Sequence, residues 1–328
     1  MTDLKAPHGP LAFFLNLEPT LSDFRTDVIE GLAKPQKELS PKYFYDAYGS
    51  SLFEKITKLA AYYPTRTEKK IIEDNADAIA DAIGPNAAIL EYGAGAPDKI
   101  RRLLNMLHDP TAYVAMDISG DHLLEGMSAL ANELSPLPIG AIYADFLADV
   151  TIPTDILPTP SKWLGFFPGS TLGNLTPGLA ATFLTKTSKT LGPNAKMLIG
   201  IDLYKDEDVL QKAYDDPEGV TAAFNMNILI RMKEELGAEL NVEDFEHLAL
   251  VNHEHYRIEM HLRAKRKTMI SLNGTDYVFD AGETLHTENS YKFSENRFET
   301  LLSKTPWHLE KRWTDEKGWF AACLLSNT

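Results

Sequence analysis

The sequence predicts an α/β protein built on a largely parallel sheet with helices on both faces, closed by an antiparallel hairpin, with a second α+β lobe inserted before the end. Three observations carry this. Short apolar runs alternate with helical patterns between residues 87 and 202, the pattern of a parallel sheet buried on both faces. Two glycines, Gly93 and Gly95, stand where the first apolar run turns into a helix. The segments 307–314 and 319–326 read as two strands joined near Asp315–Gly318.

Taken in order, residues 1–20 are mixed and contain proline, and are expected to be loosely ordered or packed on the surface. Ser22-Asp23 can cap a helix running to about Gly31. Tyr43, Phe44, Tyr45, Tyr48 and Phe53 form a denser aromatic cluster than a surface needs. A helix is expected at 50–59 and another at 66–83, the second opened by a Thr65/Glu68 capping box and stopped by Gly84-Pro85. Strands at 87–92, 112–117, 138–144, 162–167 and 196–202 then alternate with helices at 98–107, 120–134 and 177–190. After Asp202 the alternation ends. Two helices are expected within 206–237, a strand at 255–264 that Lys267–Leu272 can pair with, an Asn273-Gly274 turn, and a helix at 294–303 before the final hairpin.

The chain has 328 residues, 44% of them hydrophobic, enough for one large domain or two smaller ones. Its net charge of −15 repels phosphate backbones and anionic membranes, so neither is expected as a partner. A single cysteine, Cys323, rules out an intrachain disulfide. No secretory pattern opens the chain and no apolar run reaches membrane-spanning length, which suits a cytoplasmic enzyme.

The chemistry begins at Glu91-Tyr92-Gly93-Ala94-Gly95-Ala96-Pro97-Asp98-Lys99. Glycines at a strand-to-helix turn let backbone N–H groups approach a ligand. No Gly-Lys-Ser/Thr follows, so this is no P-loop, and Pro97 breaks the three-glycine dinucleotide pattern. The turn resembles the nucleoside-binding turn of class I S-adenosylmethionine (SAM) methyltransferases, whose sheets also end in an antiparallel pair. Asp117 ends the next strand and can accept both ribose hydroxyls; a strand-end aspartate without a ligand is the plain alternative. Asp145-Phe146 can accept the adenine amino group and stack on the base. Lys99 can pair with the carboxylate of SAM's methionine part.

Further segments resemble one family. Tyr43-Phe44-Tyr45-Asp46, Tyr62-Tyr63-Pro64-Thr65-Arg66, Gly169-Ser170-Thr171-Leu172-Gly173-Asn174-Leu175, Tyr214-Asp215-Asp216, Gly219-Val220-Thr221-Ala222-Ala223-Phe224-Asn225 and Thr287-Glu288-Asn289-Ser290-Tyr291-Lys292-Phe293 occur in the order found in L-histidine Nα-methyltransferases. These enzymes make trimethylhistidine (hercynine) for ergothioneine synthesis. The resemblance implies a class I SAM-methyltransferase core at 67–205 with 293–328, a substrate lobe at 20–66 with 206–292, and an N-terminal extension at 1–19. It implies that Gly93, Lys99, Asp117, Asp145 and Phe146 hold SAM. Asn174 and Tyr214 would hold the histidine carboxylate with help from Tyr62, and Tyr45 would sit beside the α-amine. Glu288 and Ser290 would bond the two imidazole nitrogens, and Phe53 and Met260 would shape the ring pocket. Ala96-Pro97 departs from the family's usual Ser or Thr, which removes one hydrogen bond to SAM, and Tyr92 replaces the usual Leu.

Glu288 and Ser290, two apart on an extended segment, point to one side, and each can meet a ring nitrogen. Two other readings compete: an N-methyltransferase for a tryptophan-derived amine, which an ionised Glu288 disfavours, and a SAM-binding protein without turnover. His253, His255, His261, Glu254 and Glu259 suggest a metal, but methyl transfer needs none and none is expected. A monomer acting on free L-histidine is expected.

Overall fold

The computed structural model describes residues 4–5, 9–17, 21–95 and 97–327, without the side chains of residues 4, 5, 21, 22 and 121. The Ser22 cap and Ala96 therefore lie outside what is described. The chain forms two compact units: Met1–Glu18, Pro64–Tyr204 and Lys292–Thr328 in the first, Pro19–Tyr63 and Lys205–Tyr291 in the second.

The described residues of the first unit form a nine-stranded sheet. Its spatial order is Leu4–Lys5, Phe13–Asn16, Ile139–Tyr143, Ala112–Asp117, Ala87–Tyr92, Lys162–Phe167, Lys196–Asp202, Phe320–Asn327, Trp307–Thr314. The strands from Phe13–Asn16 to Lys196–Asp202 run parallel, and Phe320–Asn327 inserts antiparallel beside Lys196–Asp202. Ala87–Tyr92 is buried along its whole length, because Ala88, Leu90 and Tyr92 face one apolar core and Ala87 and Ile89 the other. Its neighbours on the two sides lead the chain in opposite directions. The carboxyl end of Ala87–Tyr92 is thus a topological switch point, where open α/β sheets bind ligands.

Two sequence expectations need correction here. The amino-terminal segment is not loose at 13–16: this strand pairs in parallel with Gly140–Tyr143. Phe13 is fully buried, because five apolar residues in a row, Leu11-Ala12-Phe13-Phe14-Leu15, cannot all stay in water. A Cβ added to Gly140 would stand 2.2 Å from the Phe13 ring. Gly140→Ala is therefore expected to lower stability by about 1–3 kcal/mol through overpacking, read as a lower midpoint in urea.

The second correction is that 66–83 is two helices, Tyr63–Asp74 and Ala76–Ile83. Asn75 interrupts them with φ −118° and its Nδ2 donates to the Ile71 carbonyl at 2.8 Å, the side-chain competition that makes asparagine a poor interior helix residue. The first helix begins before Thr65, so Thr65 and Glu68 form no capping box. Glu68 is buried inside the unit.

The second unit holds a four-stranded sheet in the order Lys37–Glu38, Thr284–Tyr291, Arg257–Ala264, Phe245–Asn252. Lys37–Glu38 and Phe245–Asn252 were not read as strands from the sequence, and Thr284–Tyr291 was read only as an extended segment around Glu288 and Ser290. The hairpin Thr268–Leu272 with Thr275–Phe279 stands as a separate two-stranded sheet and does not pair with Arg257–Ala264. Asn273 (φ 52°) and Gly274 (φ 75°) give it two successive left-handed residues, as a two-residue hairpin turn requires. Between Thr284–Tyr291 and Arg257–Ala264 the register shifts: Glu288 faces Met260 while His286 faces His261. Thr287 is the extra residue of this bulge, a device that re-aims neighbouring side chains.

Candidate active site

The glycine turn lies at the switch point. Gly93 has φ 72°, a conformation costing other residues roughly 1–2 kcal/mol, and a Cβ there would meet no atom within 4 Å. The turn is open on its outer side, with room for a ligand. Gly93 and Ala94 N–H both donate to the Met116 carbonyl, at 2.8 and 3.0 Å. Gly95 N–H donates to Asp117 Oδ2 at 3.0 Å, and Ser119 N–H to Asp117 Oδ1 at 2.7 Å. The turn and the next strand end are thereby joined, and the Asp117 carboxylate is fixed by two backbone donors.

Asp145 is held in the same way by Leu147 N–H, 2.9 Å from Oδ1. The half-buried Phe146 ring meets Phe167 and Phe183 edge-on, each at 5.4 Å. Lys99 Nζ donates to Glu68 Oε2 at 2.6 Å. Asn174 ends the short helix Thr171–Asn174, half-buried. The loop into that helix starts at Gly169, and its next residue, Ser170, is left-handed at φ 59° and accepts the Asp202 N–H on its Oγ at 2.8 Å.

Beneath the turn, Glu91 is fully buried and accepts the Tyr113 hydroxyl at 2.6 Å. Burial pushes its carboxyl up to about 8, against the smaller opposing effects of the Tyr113 hydrogen bond and Lys99. A carboxyl raised from 4.5 to about 8 binds its proton more tightly folded than unfolded. Its contribution is whole below pH 4.5 and is lost as pH rises towards 8. Glu91→Gln is expected to remove this dependence, raising stability at pH 9 relative to pH 5 by a few kcal/mol, on the order of 2–4, measured as urea midpoints across pH.

The second unit gathers the residues expected around an amino-acid substrate. Ring contacts run from Tyr45 to Phe53 (5.6 Å), Phe53 to Tyr62 (6.3 Å) and Tyr62 to Tyr214 (6.3 Å). Tyr214 Oη and Ser290 Oγ share a hydrogen bond of 2.7 Å. Glu288 and Ser290 are both buried, and Met260 stands opposite Glu288 on the adjacent strand. Tyr45, Phe53, Tyr62, Tyr214, Met260, Glu288 and Ser290 thus form one connected set, while Gly93, Lys99, Asp117, Asp145, Phe146 and Asn174 belong to the first unit.

Two residues of this second set escaped the sequence reading. Phe224 packs against Tyr45 (5.5 Å) and Phe53 (5.9 Å). Asn225, fully buried, donates through Nδ2 to His247 Nδ1 at 2.9 Å and accepts Thr287 Oγ1 at 2.7 Å. His247 Nε2 donates to the Tyr214 carbonyl at 2.8 Å, and burial lowers the pKa of His247, which favours the neutral ring this chain of bonds needs. Asn225 therefore links the Tyr214 backbone to the bulge that carries Glu288. Both residues lie in the Gly219–Asn225 segment, so the signal was present but carried no assigned role.

Of the residues considered for a metal, Glu259 and His261 come together with His286, all buried. Glu259 Oε1 accepts Arg257 Nε (2.7 Å) and Asn252 Nδ2 (2.8 Å). His261 Nε2 meets Glu259 Oε2 at 3.0 Å and its Nδ1 meets Thr284 Oγ1 at 3.1 Å. His286 Nε2 donates to the Glu288 carbonyl at 3.0 Å. These contacts make the cluster a hydrogen-bonded ion network across Arg257–Ala264 and the strand Thr284–Tyr291, which carries Glu288.

The model of the family described as histidine-specific, SAM-dependent methyltransferases matches residues 24–327. The chain belongs to that family. Its nine-stranded sheet is accordingly the class I SAM-methyltransferase sheet, with the antiparallel strand Phe320–Asn327 inserted before the last. A histidine N-alpha-methyltransferase of Mycobacterium tuberculosis (strain CDC 1551 / Oshkosh) is 39% identical to this family member over 92% of this chain and 94% of that protein. One of Mycolicibacterium smegmatis is 37% identical over 96% and 98%. Ergothioneine biosynthesis protein 1 of Neurospora crassa is 29% identical over 85% of this chain and 32% of that protein. Among the described residues, no helix is long and apolar enough to cross a membrane.

Proposed function

We propose that this methyltransferase moves three methyl groups, one at a time, from SAM to the α-amino nitrogen of L-histidine, giving hercynine, the first step of ergothioneine biosynthesis. The observation that carries the reading is the buried pair Glu288 and Ser290 facing out of one strand beside Met260, in a chain of the histidine-specific family. An imidazole has two nitrogens that only donors and acceptors can tell from carbon. A carboxylate and a hydroxyl in an otherwise aromatic wall suit that ring and suit an indole poorly.

Gly93, Lys99, Asp117, Asp145 and Phe146 would hold SAM, whose sulfonium supplies an electrophilic methyl group. The open turn and the backbone-fixed carboxylate of Asp117 fit a nucleoside with two ribose hydroxyls. Asn174, Tyr214 and Tyr62 offer neutral donors for the histidine carboxylate. Glu288 and Ser290 fix the ring, with Phe53 and Met260 as its walls. Tyr45 orients the α-amine, which must reach the methyl group without its proton. Charge passes from sulfur to nitrogen with little net gain, so the residues act mainly by positioning, an effect that can reach roughly 7–11 kcal/mol. The reading involves no metal, nucleic acid or membrane, and takes the protein as a cytoplasmic monomer.

The test is incubation with SAM and L-histidine followed by mass spectrometry for mono-, di- and trimethylhistidine. All three should appear in sequence. Product from a tryptophan-derived amine and none from histidine would replace this reading, and no product from either would leave a SAM-binding protein.

A further inference from the structure

Glu68 is a buried carboxylate with no place in the reaction as proposed. It sits on the helix Tyr63–Asp74, 1% exposed. Its Oε2 accepts Lys99 Nζ at 2.6 Å. The Gly169 N–H donates to both of its oxygens, at 2.8 and 3.0 Å. Gly200, on the strand Lys196–Asp202, leaves the space the carboxylate fills: a Cβ there would stand 2.0 Å from Oε1. One side chain therefore grips the lysine expected at SAM's carboxylate and the first residue of the loop that ends in Asn174.

We propose that Glu68 is a positioning residue that sets the SAM-binding lysine and the Asn174 loop from a single buried carboxylate. The inference rests on the proposed roles of Lys99 and Asn174. The Lys99 ammonium has three donors. Glu68 uses one and fixes the direction of the head, which leaves two for a ligand carboxylate. A free lysine would have to be ordered on binding, a cost worth about tenfold in affinity. Gly169 has φ 81°, a conformation that glycine adopts without strain, and Glu68 holds its N–H. With that anchor lost, the Gly169–Asn174 loop is free to shift and Asn174 to lose its aim. Glu68 touches neither ligand and acts through both segments.

Glu68→Gln keeps the size of the side chain but replaces one acceptor oxygen with a donor that opposes Lys99. Calorimetry of SAM binding to wild type, Glu68→Gln, Lys99→Met and the double variant forms a cycle that isolates the coupling. Glu68→Gln is expected to weaken SAM about tenfold when Lys99 is present and less than about twofold when it is not. At saturating SAM it should also raise the histidine KM about tenfold. Gly200→Ala, which crowds the carboxylate without removing its charge, should shift both constants in the same direction if Glu68→Gln does not fold. Unchanged or tighter SAM binding, additive effects in the cycle, or a lower melting temperature with both constants intact would overturn the proposal and leave Glu68 a packing residue. Wild-type protein that makes no product from histidine removes the reading of the acceptor, whereas the binding cycle uses no acceptor and still decides the role of Glu68.

Discussion

Replacing Glu288 with alanine is expected to raise the histidine KM by about 10- to 150-fold, because a hydrogen bond to a charged group is worth about 1.5–3 kcal/mol and its loss strands a polar ring nitrogen. SAM affinity should stay within about twofold, since nothing in the first unit depends on this side chain as the site is proposed. Glu288 is 8% exposed, so whatever bonds to it does so largely out of water, where an unmatched partner is costly. Steady-state kinetics with histidine varied, and calorimetry with SAM alone, check the two halves. Glu288→Gln should fall between, because an amide keeps one acceptor without the charge. An equal loss of both affinities would mean that Glu288 holds the bulge at Thr287 rather than the substrate.

Asp117→Ala is expected to weaken SAM binding by about 100-fold or more. Two hydrogen bonds from ribose hydroxyls to one carboxylate are at stake, each worth about 1.5–3 kcal/mol when the acceptor is charged. The carboxylate is already oriented by Gly95 and Ser119 N–H, so its loss also frees the glycine turn. Calorimetry with SAM and with S-adenosylhomocysteine reads the effect, and the two ligands should lose affinity equally because they share the ribose. An unchanged dissociation constant would make Asp117 a pin for the turn and nothing more. Asp117→Asn should retain part of the binding, through the amide oxygen.

The sheet of the first unit was legible because every strand from 87 to 202 is a short apolar run and three of the four crossovers carry a helical period; the one from Ile139–Tyr143 to Lys162–Phe167 holds only the short turn Thr154–Ile156. Phe13–Asn16 escaped because the five apolar residues Leu11–Leu15, following Pro10, carry no period, and the strand at Gly140 gives them a partner. In the second unit, Phe245–Asn252 is mostly half-buried, so its Glu-His-Leu-Ala-Leu pattern does not alternate cleanly. The Asn273-Gly274 turn was readable from its two residues, but its pairing was not, because a hairpin signal names the turn and leaves the next strand over unspecified. At the candidate site, the acids at strand ends and the Glu288-x-Ser290 spacing were visible as local chemistry. Glu68 was misread: Thr-x-x-Glu is a local motif, and the contacts that override it come from Lys99 and Gly169, 31 and 101 residues away.

The interleaving of the units bears on synthesis. The chain changes unit at 18/19, 63/64, 204/205 and 291/292, so neither unit is finished when half the chain has been made. All segments of the second unit are available once residue 291 has emerged, but the first still lacks Phe320–Asn327, the strand that lies inside its sheet between Lys196–Asp202 and Trp307–Thr314. Until that strand arrives, Lys196–Asp202 offers an unpaired apolar edge, the kind of edge that recruits other chains. The growing polypeptide is thus open to association at this edge until Phe320–Asn327 has emerged. Ribosome-bound chains stalled before residue 320 should bind holdase chaperones more than chains released past residue 327.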